Sequence, residues 1–452
     1  MNSKLTHKEY LMLAIPFIIS TITQPLLGAV DTAVVGRLSN STYIGGVSIG
    51  TVIFNTIYWI FGFLRVSTSA YSAQALGSND DKEGMLAFIR PMCIAMVLGF
   101  TFILFQGPIG DFALSILKPS EDIKNLALKY FSILIWGAPL VLGNYVILGW
   151  LMGQAKLKES LFMQITTNVV NIVLDLLLVQ VFNYNVGGVA VATLISQMIG
   201  FGIGCILMIN CDNFSFKNLT KEVVFDKEAF KSIMKCNTDL MIRTICLLIT
   251  TNMFIAKGAE LGSDILAANA ILFQIQYIMS YIFDGLANAS SVFAGKAIGK
   301  DDKELFDLNI KRSGQWSMIF VIIITAMYFF GKSSLMRLFT NIEKVLNLIW
   351  VFDKYLLWFP LFAAVGLVYY GVFSGATETK PIRDSMILSL IAFLIADKLL
   401  ISTIGMGNHG LWVAFLIFCL SRSVFLIMYL PYMRKRLNFK SYSNIQNIKL
   451  EG

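Results

Sequence analysis

Apolar runs long enough to cross a lipid bilayer recur about twelve times along this chain of 452 residues. A helix needs about 20 mostly apolar residues to span the hydrocarbon core of a membrane. The runs lie near 10–34, 44–70, 88–109, 127–152, 160–182 and 187–210, and then near 236–257, 265–293, 314–332, 350–374, 385–404 and 410–432. The sequence therefore predicts an all-α integral membrane protein with twelve transmembrane helices.

The composition agrees with a membrane protein. Hydrophobic residues make up 56% of the chain and charged residues 14%, whereas soluble domains carry about 25% charged residues. The net charge of +8 could indicate nucleic-acid binding, but the basic residues lie in loops between apolar runs, so we exclude nucleic acid as a partner. The six cysteines are scattered and form no CxxC, which argues against structural disulfides.

Lysine and arginine are concentrated in one set of alternate loops. If the N-terminus is cytoplasmic, that side carries most of the basic residues, including those of the Lys-rich stretch 211–235. Basic loops stay on the cytoplasmic side of a membrane. We therefore expect both termini in the cytoplasm and a multi-pass protein of the plasma (inner) membrane. The first apolar run is too long for a signal peptide, which favours a retained helix.

The two halves of the chain repeat each other at a constant offset of 222 residues. "QALGSND" at 74–80 corresponds to "KAIGKDD" at 296–302, and Asp175 corresponds to Asp397. Six spans per half make the repeats parallel, an arrangement known in transporters, although a purely structural repeat is the alternative. The predicted domains are an N-terminal lobe (1–210), a cytoplasmic linker (211–235), a C-terminal lobe (236–433) and a cytoplasmic tail (434–452).

Acidic and amide side chains lie inside the predicted spans of the first half. An ionised carboxylate such as Asp31 costs a membrane helix about 2.5–3.5 kcal/mol at the bilayer centre, and such residues usually serve a function. Asn171 and Asp175 are four residues apart and share one helix face. Because burial disfavours the charged form of a carboxyl group, such residues can accept a proton near neutral pH. A purely structural role in helix packing is the alternative.

Several motifs resemble the multidrug and toxic compound extrusion (MATE) transporters. "PLLGAVDTAVVGRLS" followed by "ALGSNDDKEG" carries the general resemblance, while "GSDILAANAILFQ" and "FDGLANASSVFAGKAIGKDD" resemble the DinF-type branch. The similarity runs from the first to the last predicted span. It implies two six-helix lobes around a central cavity, and export of organic compounds driven by inward flow of H+ or Na+.

The resemblance also implies roles for individual residues. An ion-coupling cluster, able to bind H+ or Na+ as a metal ion, would comprise Asp31, Asn171, Asp175 and Thr193. Substrate-cavity positions would be Gln24, Asn144 and Asp284, although Asp284 could instead form an internal hydrogen bond near Gly285. Pro16 would mark a bend in the first helix. Ser291 stands where many DinF-type sequences have a glutamate, a departure that argues against coupling through the C-terminal half.

These observations predict a secondary active antiporter that exports organic, often cationic, drugs or toxic metabolites in exchange for H+ or Na+ by alternating access. We expect no cofactor and no enzymatic activity, small organic substrates and the lipid bilayer as partners, and a monomer. "GKSS" at 331–334 is not a nucleotide-binding loop, because Ala326 stands where its first glycine would be. A flippase for lipids or lipid-linked oligosaccharides is the alternative within the same superfamily; a membrane-embedded enzyme and a channel are more distant ones.

Overall fold

The computed structural model describes residues 5–35, 41–211, 220–437 and 439. The side chains of residues 23–35, 41 and 180 lie outside the described part, so Gln24 and Asp31 are located only by the backbone of their helix.

Seventeen α-helices follow one another in the described residues. The first half contains α1 (His7–Val35), α2 (Ser41–Phe61), α3 (Phe63–Ser78), α4 (Asp81–Leu104), α5 (Gln106–Leu117), α6 (Glu121–Leu134), α7 (Ala138–Gly153), α8 (Leu157–Asp175), α9 (Asn185–Ile209) and the short α10 (Lys221–Val224). The second half contains α11 (Lys227–Glu260), α12 (Ser263–Gly299), α13 (Lys303–Phe339), α14 (Glu343–Phe352), α15 (Lys354–Gly375), α16 (Thr379–Asp397) and α17 (Gly407–Arg436).

Eleven helical stretches in the described part of the chain are long and apolar enough to cross a membrane. They coincide with the second to the twelfth predicted runs, and α1, with 29 residues, lies at the first. Two of the stretches, Thr42–Ser78 and Glu121–Gly153, each combine consecutive helices. The prediction of an all-α integral membrane protein is confirmed.

The repeat extends to the local conformation of the backbone. Helix α8 has 19 residues, ends at Asp175 and continues into a π-helical segment, Leu176–Val181. Helix α16 also has 19 residues, ends at Asp397 and continues into a π-helical segment, Lys398–Thr403. The two halves thus share even a rare, wider helical turn at equivalent positions.

The turns that follow α3 and α12 are equivalent in the same way. Asn79 and Asp301 both have left-handed backbone conformations, with φ of 53° and 55°. The next residues cap the following helices: the side chain of Asp80 accepts a hydrogen bond from the Glu83 amide, and that of Asp302 from the Leu305 amide. Such caps satisfy backbone N–H groups that have no partner at a helix start.

The chain forms two compact units. The first unit comprises Met1–Ile15, Ala73–Asn79 and Cys246–Gly452. The second unit comprises Pro16–Ser72 and Asp80–Ile245. Three helices, α1, α3 and α11, therefore contribute residues to both units, and the division of α1 falls directly before Pro16.

Within the second unit, close helix contacts hold α7 in place. The Trp150 indole is fully buried and donates a hydrogen bond to the carbonyl of Gly84 on α4, at 2.8 Å. On the next turn, Gly149 lies so close to α3 that a Cβ atom there would be 2.4 Å from the carbonyl oxygen of Arg65. Small residues let membrane helices approach each other to backbone distance, and this packing positions Asn144 on the same helix.

Within the first unit, an aromatic and amide cluster joins α11, α12 and α17. The Phe254 ring lies 4.5 Å from that of Phe273 and 5.0 Å from that of Trp412, measured between centroids. The buried amides of Asn269 and Asn408 donate hydrogen bonds to each other at 2.7 and 2.9 Å, and the Trp412 indole donates a third to Asn269 at 2.9 Å. Buried polar groups thus satisfy one another within the apolar core.

Candidate functional site

Asn171, Asp175 and Thr193 lie together in the second unit. Asp175, at the C-terminal end of α8, is only 2% exposed. The amide of Asn171 donates a hydrogen bond to the Asp175 carboxylate (Nδ2 to Oδ2, 3.2 Å) and a longer one to the Thr193 hydroxyl on α9, at 3.5 Å. The Thr193 hydroxyl donates in turn to the carbonyl of Val189 at 3.0 Å. The three side chains therefore form one hydrogen-bonded cluster, which we call the Asp175 cluster.

The π-helical segment Leu176–Val181 begins directly after Asp175. A π-helical turn widens a helix locally, and such turns occur frequently at functional sites. The amide of Tyr184, where the chain leaves this segment, donates to the carbonyl of Leu178 at 2.9 Å and so closes the turn before α9 begins. This short connection places α9, with Thr193, beside the end of α8.

Asn144 and Gln197 extend the polar surface, and Gln197 is a residue that the sequence analysis missed. Asn144, 5% exposed, donates from its amide to the Gln197 side chain at 2.8 Å and to its backbone carbonyl at 3.2 Å. The carbonyl oxygen of the Asn144 side chain is buried and has no hydrogen-bond partner among the described residues. The signal for Gln197 was its position four residues after Thr193, because that spacing puts both on one helix face.

Helix α1 contacts α8 within the same unit. Gln164 on α8 donates hydrogen bonds to the hydroxyl of Ser20 on α1, at 3.0 Å, and to that of Ser160, at 3.3 Å. Asp31 and Gln24 belong to α1, but their side chains lie outside the described residues. The contacts of these two predicted site residues therefore stay a prediction.

Pro16 lies inside α1, where the two compact units divide. Proline has no N–H group, so it removes one backbone hydrogen bond and weakens a helix locally. On its N-terminal side, the buried hydroxyl of Tyr10 is hydrogen-bonded to that of Ser290 on α12 at 2.7 Å, which is in turn bonded to Ser313 on α13 at 2.7 Å. The residues before and after Pro16 are therefore held by different parts of the chain.

The second half does not reproduce the Asp175 cluster. Asp397, the repeat equivalent of Asp175, is 7% exposed, but Phe393 and Phe415 occupy the positions equivalent to Asn171 and Thr193. Its charged neighbours are Lys257 and Glu260. Asp284 lies on α12 in the first unit and is partly buried. The amide and hydroxyl that accompany the carboxylate in the first half are thus replaced by aromatic rings in the second.

The Asp175 cluster offers the atoms that a small cation requires. A carboxylate can accept a proton, and a carboxylate, an amide oxygen and a hydroxyl together supply the hard oxygen ligands that alkali and alkaline-earth ions prefer. Among the described residues, no group of three or more His, Cys, Asp or Glu side chains could hold a metal ion. The described residues therefore suit a singly charged ion, H+ or Na+, bound by one carboxylate and neutral oxygens.

The family model described as MatE matches this chain twice, at residues 16–177 and at residues 240–397. The two matches together cover more than half of the chain and lie one in each half. The match agrees with the internal repeat, since one model describes both copies.

Individual proteins of this kind match over nearly the whole chain. DNA damage-inducible protein F of Escherichia coli is 32% identical, over 91% of this chain and 89% of its own length. The probable multidrug resistance protein NorM of Thermotoga maritima is 23% identical, over 93% and 91%. Among solved structures, the outward-facing conformation of a multidrug resistance MATE family transporter superposes with a TM-score of 0.84 at 20% identity, covering 95% of this chain and 96% of the other.

Proposed function

We infer that this chain, which belongs to the MatE family of transporters, is a secondary active antiporter that exports organic compounds, often cationic, in exchange for H+ or Na+. The observation that carries this proposal is the Asp175 cluster: a carboxylate that is 2% exposed, inside a membrane-spanning stretch, bonded to an amide. Intramembrane carboxylates are costly and usually mark ion pathways. The printed names of two relatives, which describe multidrug resistance proteins, support an organic drug as the substrate.

Asp31 is the second acidic residue of the proposed ion site. Ser20 and Gln164 are in contact, and Asp31 and Asp175 each follow 11 residues later along their helices. The first and the fifth spans cross the membrane in the same direction, and an α-helix rises 1.5 Å per residue. Both carboxylates should therefore lie at one level, roughly 16 Å beyond the Ser20 contact. Two carboxyl groups that close would titrate as a pair.

The proposed cycle couples ion binding to the release of substrate. An ion that binds at Asp31 and Asp175 neutralises the polar surface that includes Asn144 and Gln197, which weakens its hold on a cationic compound. The segment of α1 after Pro16 would move relative to the segment before it, because the proline weakens the helix at that point. The basic loops support an orientation with both termini in the cytoplasm.

The test is export of a fluorescent organic cation from proteoliposomes, with a proton gradient and a sodium gradient imposed separately. We expect the wild type to respond to one of the two gradients, and Asp31→Asn and Asp175→Asn to lose gradient-driven export. Asp397→Asn is the matched control, because Asp397 occupies the equivalent position in the second half without the amide and the hydroxyl. Normal export by Asp175→Asn with both gradients would refute the proposed site.

A further inference from the structure

We propose that Gly77 and Gly299 form the gate that closes the transport path on the Lys-rich side of the membrane, by bringing the ends of α3 and α12 to backbone contact. The proposal rests on the proposed transport function. Gly77 belongs to the first repeat and Gly299 to the second, and the two are repeat equivalents. Lys82, Lys300 and Lys303 follow these helix ends, so the contact lies on the side that we expect to face the cytoplasm.

The contact is reciprocal. A Cβ atom on Gly77 would be 2.4 Å from the carbonyl oxygen of Lys296, and one on Gly299 would be 1.9 Å from that of Gln74. Each glycine thus packs on the residue three positions before the other glycine, which is the pattern of a two-fold related crossing. We call this contact the glycine seam.

The atoms opposite each glycine are backbone atoms. The Cα atom of Lys296 would lie 2.8 Å from a Cβ on Gly77, and the amide nitrogen of Ser78 would lie 2.8 Å from a Cβ on Gly299. No side-chain rotation can relieve such a clash, so any larger residue would push the helices apart. Because few side chains interdigitate there, the two helices can also separate without repacking a core.

Other glycines in equivalent pairs pack within their own repeat. A Cβ on Gly149 would meet the carbonyl of Arg65, and one on Gly371 would meet that of Ala287, its repeat equivalent. These contacts move with the repeat to which they belong. The glycine seam instead joins one repeat to the other, as expected of a contact that must open when the repeats change their relative position.

A side-chain contact accompanies the seam. The amide of Gln74 on α3 donates hydrogen bonds to the carbonyl of Gly375 at 3.0 Å and to the hydroxyl of Thr377 at 3.3 Å, at the C-terminal end of α15. The end of α3 is therefore held by two helices of the second repeat. Opening this side of the path would require breaking both hydrogen bonds together with the seam.

The test measures the distance between spin labels at Lys82→Cys and Glu304→Cys in full-length protein whose six cysteines are replaced by alanine. Both label sites are exposed, repeat-equivalent positions just beyond the seam. Gly77→Ala and Gly299→Ala should increase the population with the longer distance about tenfold, the order expected from overpacking a close contact, and should lower drug export. Gly202→Ala is the matched control, because nothing lies within 4 Å of a Cβ at that helical glycine.

Distance distributions like that of the wild type in both seam variants would overturn the proposal. If the alanine variants do not accumulate in the membrane, Gln74→Ala replaces them, because it adds no atoms and removes only the hydrogen bonds to the end of α15. It should shift the population in the same direction by a smaller factor, and an unchanged distribution would again refute the gate. A wild type that exports nothing would refute the transport function alone, since the label distances test the seam independently.

Discussion

Replacing Asn171 by leucine tests which ion the Asp175 cluster binds. The Asn171 amide donates to the Asp175 carboxylate at 3.2 Å and so stabilises its charged form. Hydrogen bonds to charged groups contribute about 1.5–3 kcal/mol, and this one is longer than the roughly 2.7–2.9 Å of strong charge-assisted bonds. We therefore take the lower limit of about 1.5 kcal/mol, which corresponds to about a tenfold change in an equilibrium constant.

The direction of the change depends on the ion. Without the amide donor, the carboxyl group binds a proton more tightly, so proton-driven export by Asn171→Leu should reach half its maximum at about tenfold lower proton concentration. Sodium would instead lose an oxygen ligand, so sodium-driven export should require about tenfold more Na+.

The assay is export of a fluorescent cation from proteoliposomes, titrated with each ion in turn, with thermal unfolding in detergent as the control for correct folding. Asp397→Asn serves as a second control. A folded Asn171→Leu protein with the ion dependence of the wild type would refute the role of Asn171 in the site.

Three further predictions concern α9, α1 and the aromatic cluster. Thr193→Val removes a hydroxyl that accepts only a long bond of 3.5 Å from Asn171, so half-maximal export should shift by about twofold or less; a tenfold shift in the ion titration would contradict this ranking. Pro16→Ala restores a backbone hydrogen bond in α1, so the export rate should fall while equilibrium ion binding, followed by calorimetry, stays unchanged; an export rate equal to that of the wild type would argue against the bend. Asn269→Leu removes three hydrogen bonds, to Asn408 and Trp412, and should lower the free energy of unfolding by about 2–4 kcal/mol, at roughly 1 kcal/mol for each bond in a membrane protein; an unchanged melting temperature in detergent would contradict this.

The candidate site was predictable only where it depends on spacing along one helix. Asn171 and Asp175 are four residues apart, so their shared face follows from helical geometry alone. The pairing of Asn144 with Gln197 joins α7 to α9, residues 53 apart in sequence, and no local pattern in the sequence indicates it. Hydropathy does not choose which helices meet inside a bilayer, because lipid tails are as apolar as the side chains that pack there.

The resemblance to the MATE transporters, which is confirmed, and the twelve spans were available from the sequence. The need to bury about 20 apolar residues per crossing makes each span visible in composition, and duplication leaves equivalent motifs at one offset, such as Gly77 with Gly299. Only the tertiary structure decided that these two glycines pack on each other's helices and that α1 is divided between two compact units at Pro16. Contacts of this kind depend on how whole helices cross, and therefore on the shapes of many side chains that are distant in sequence.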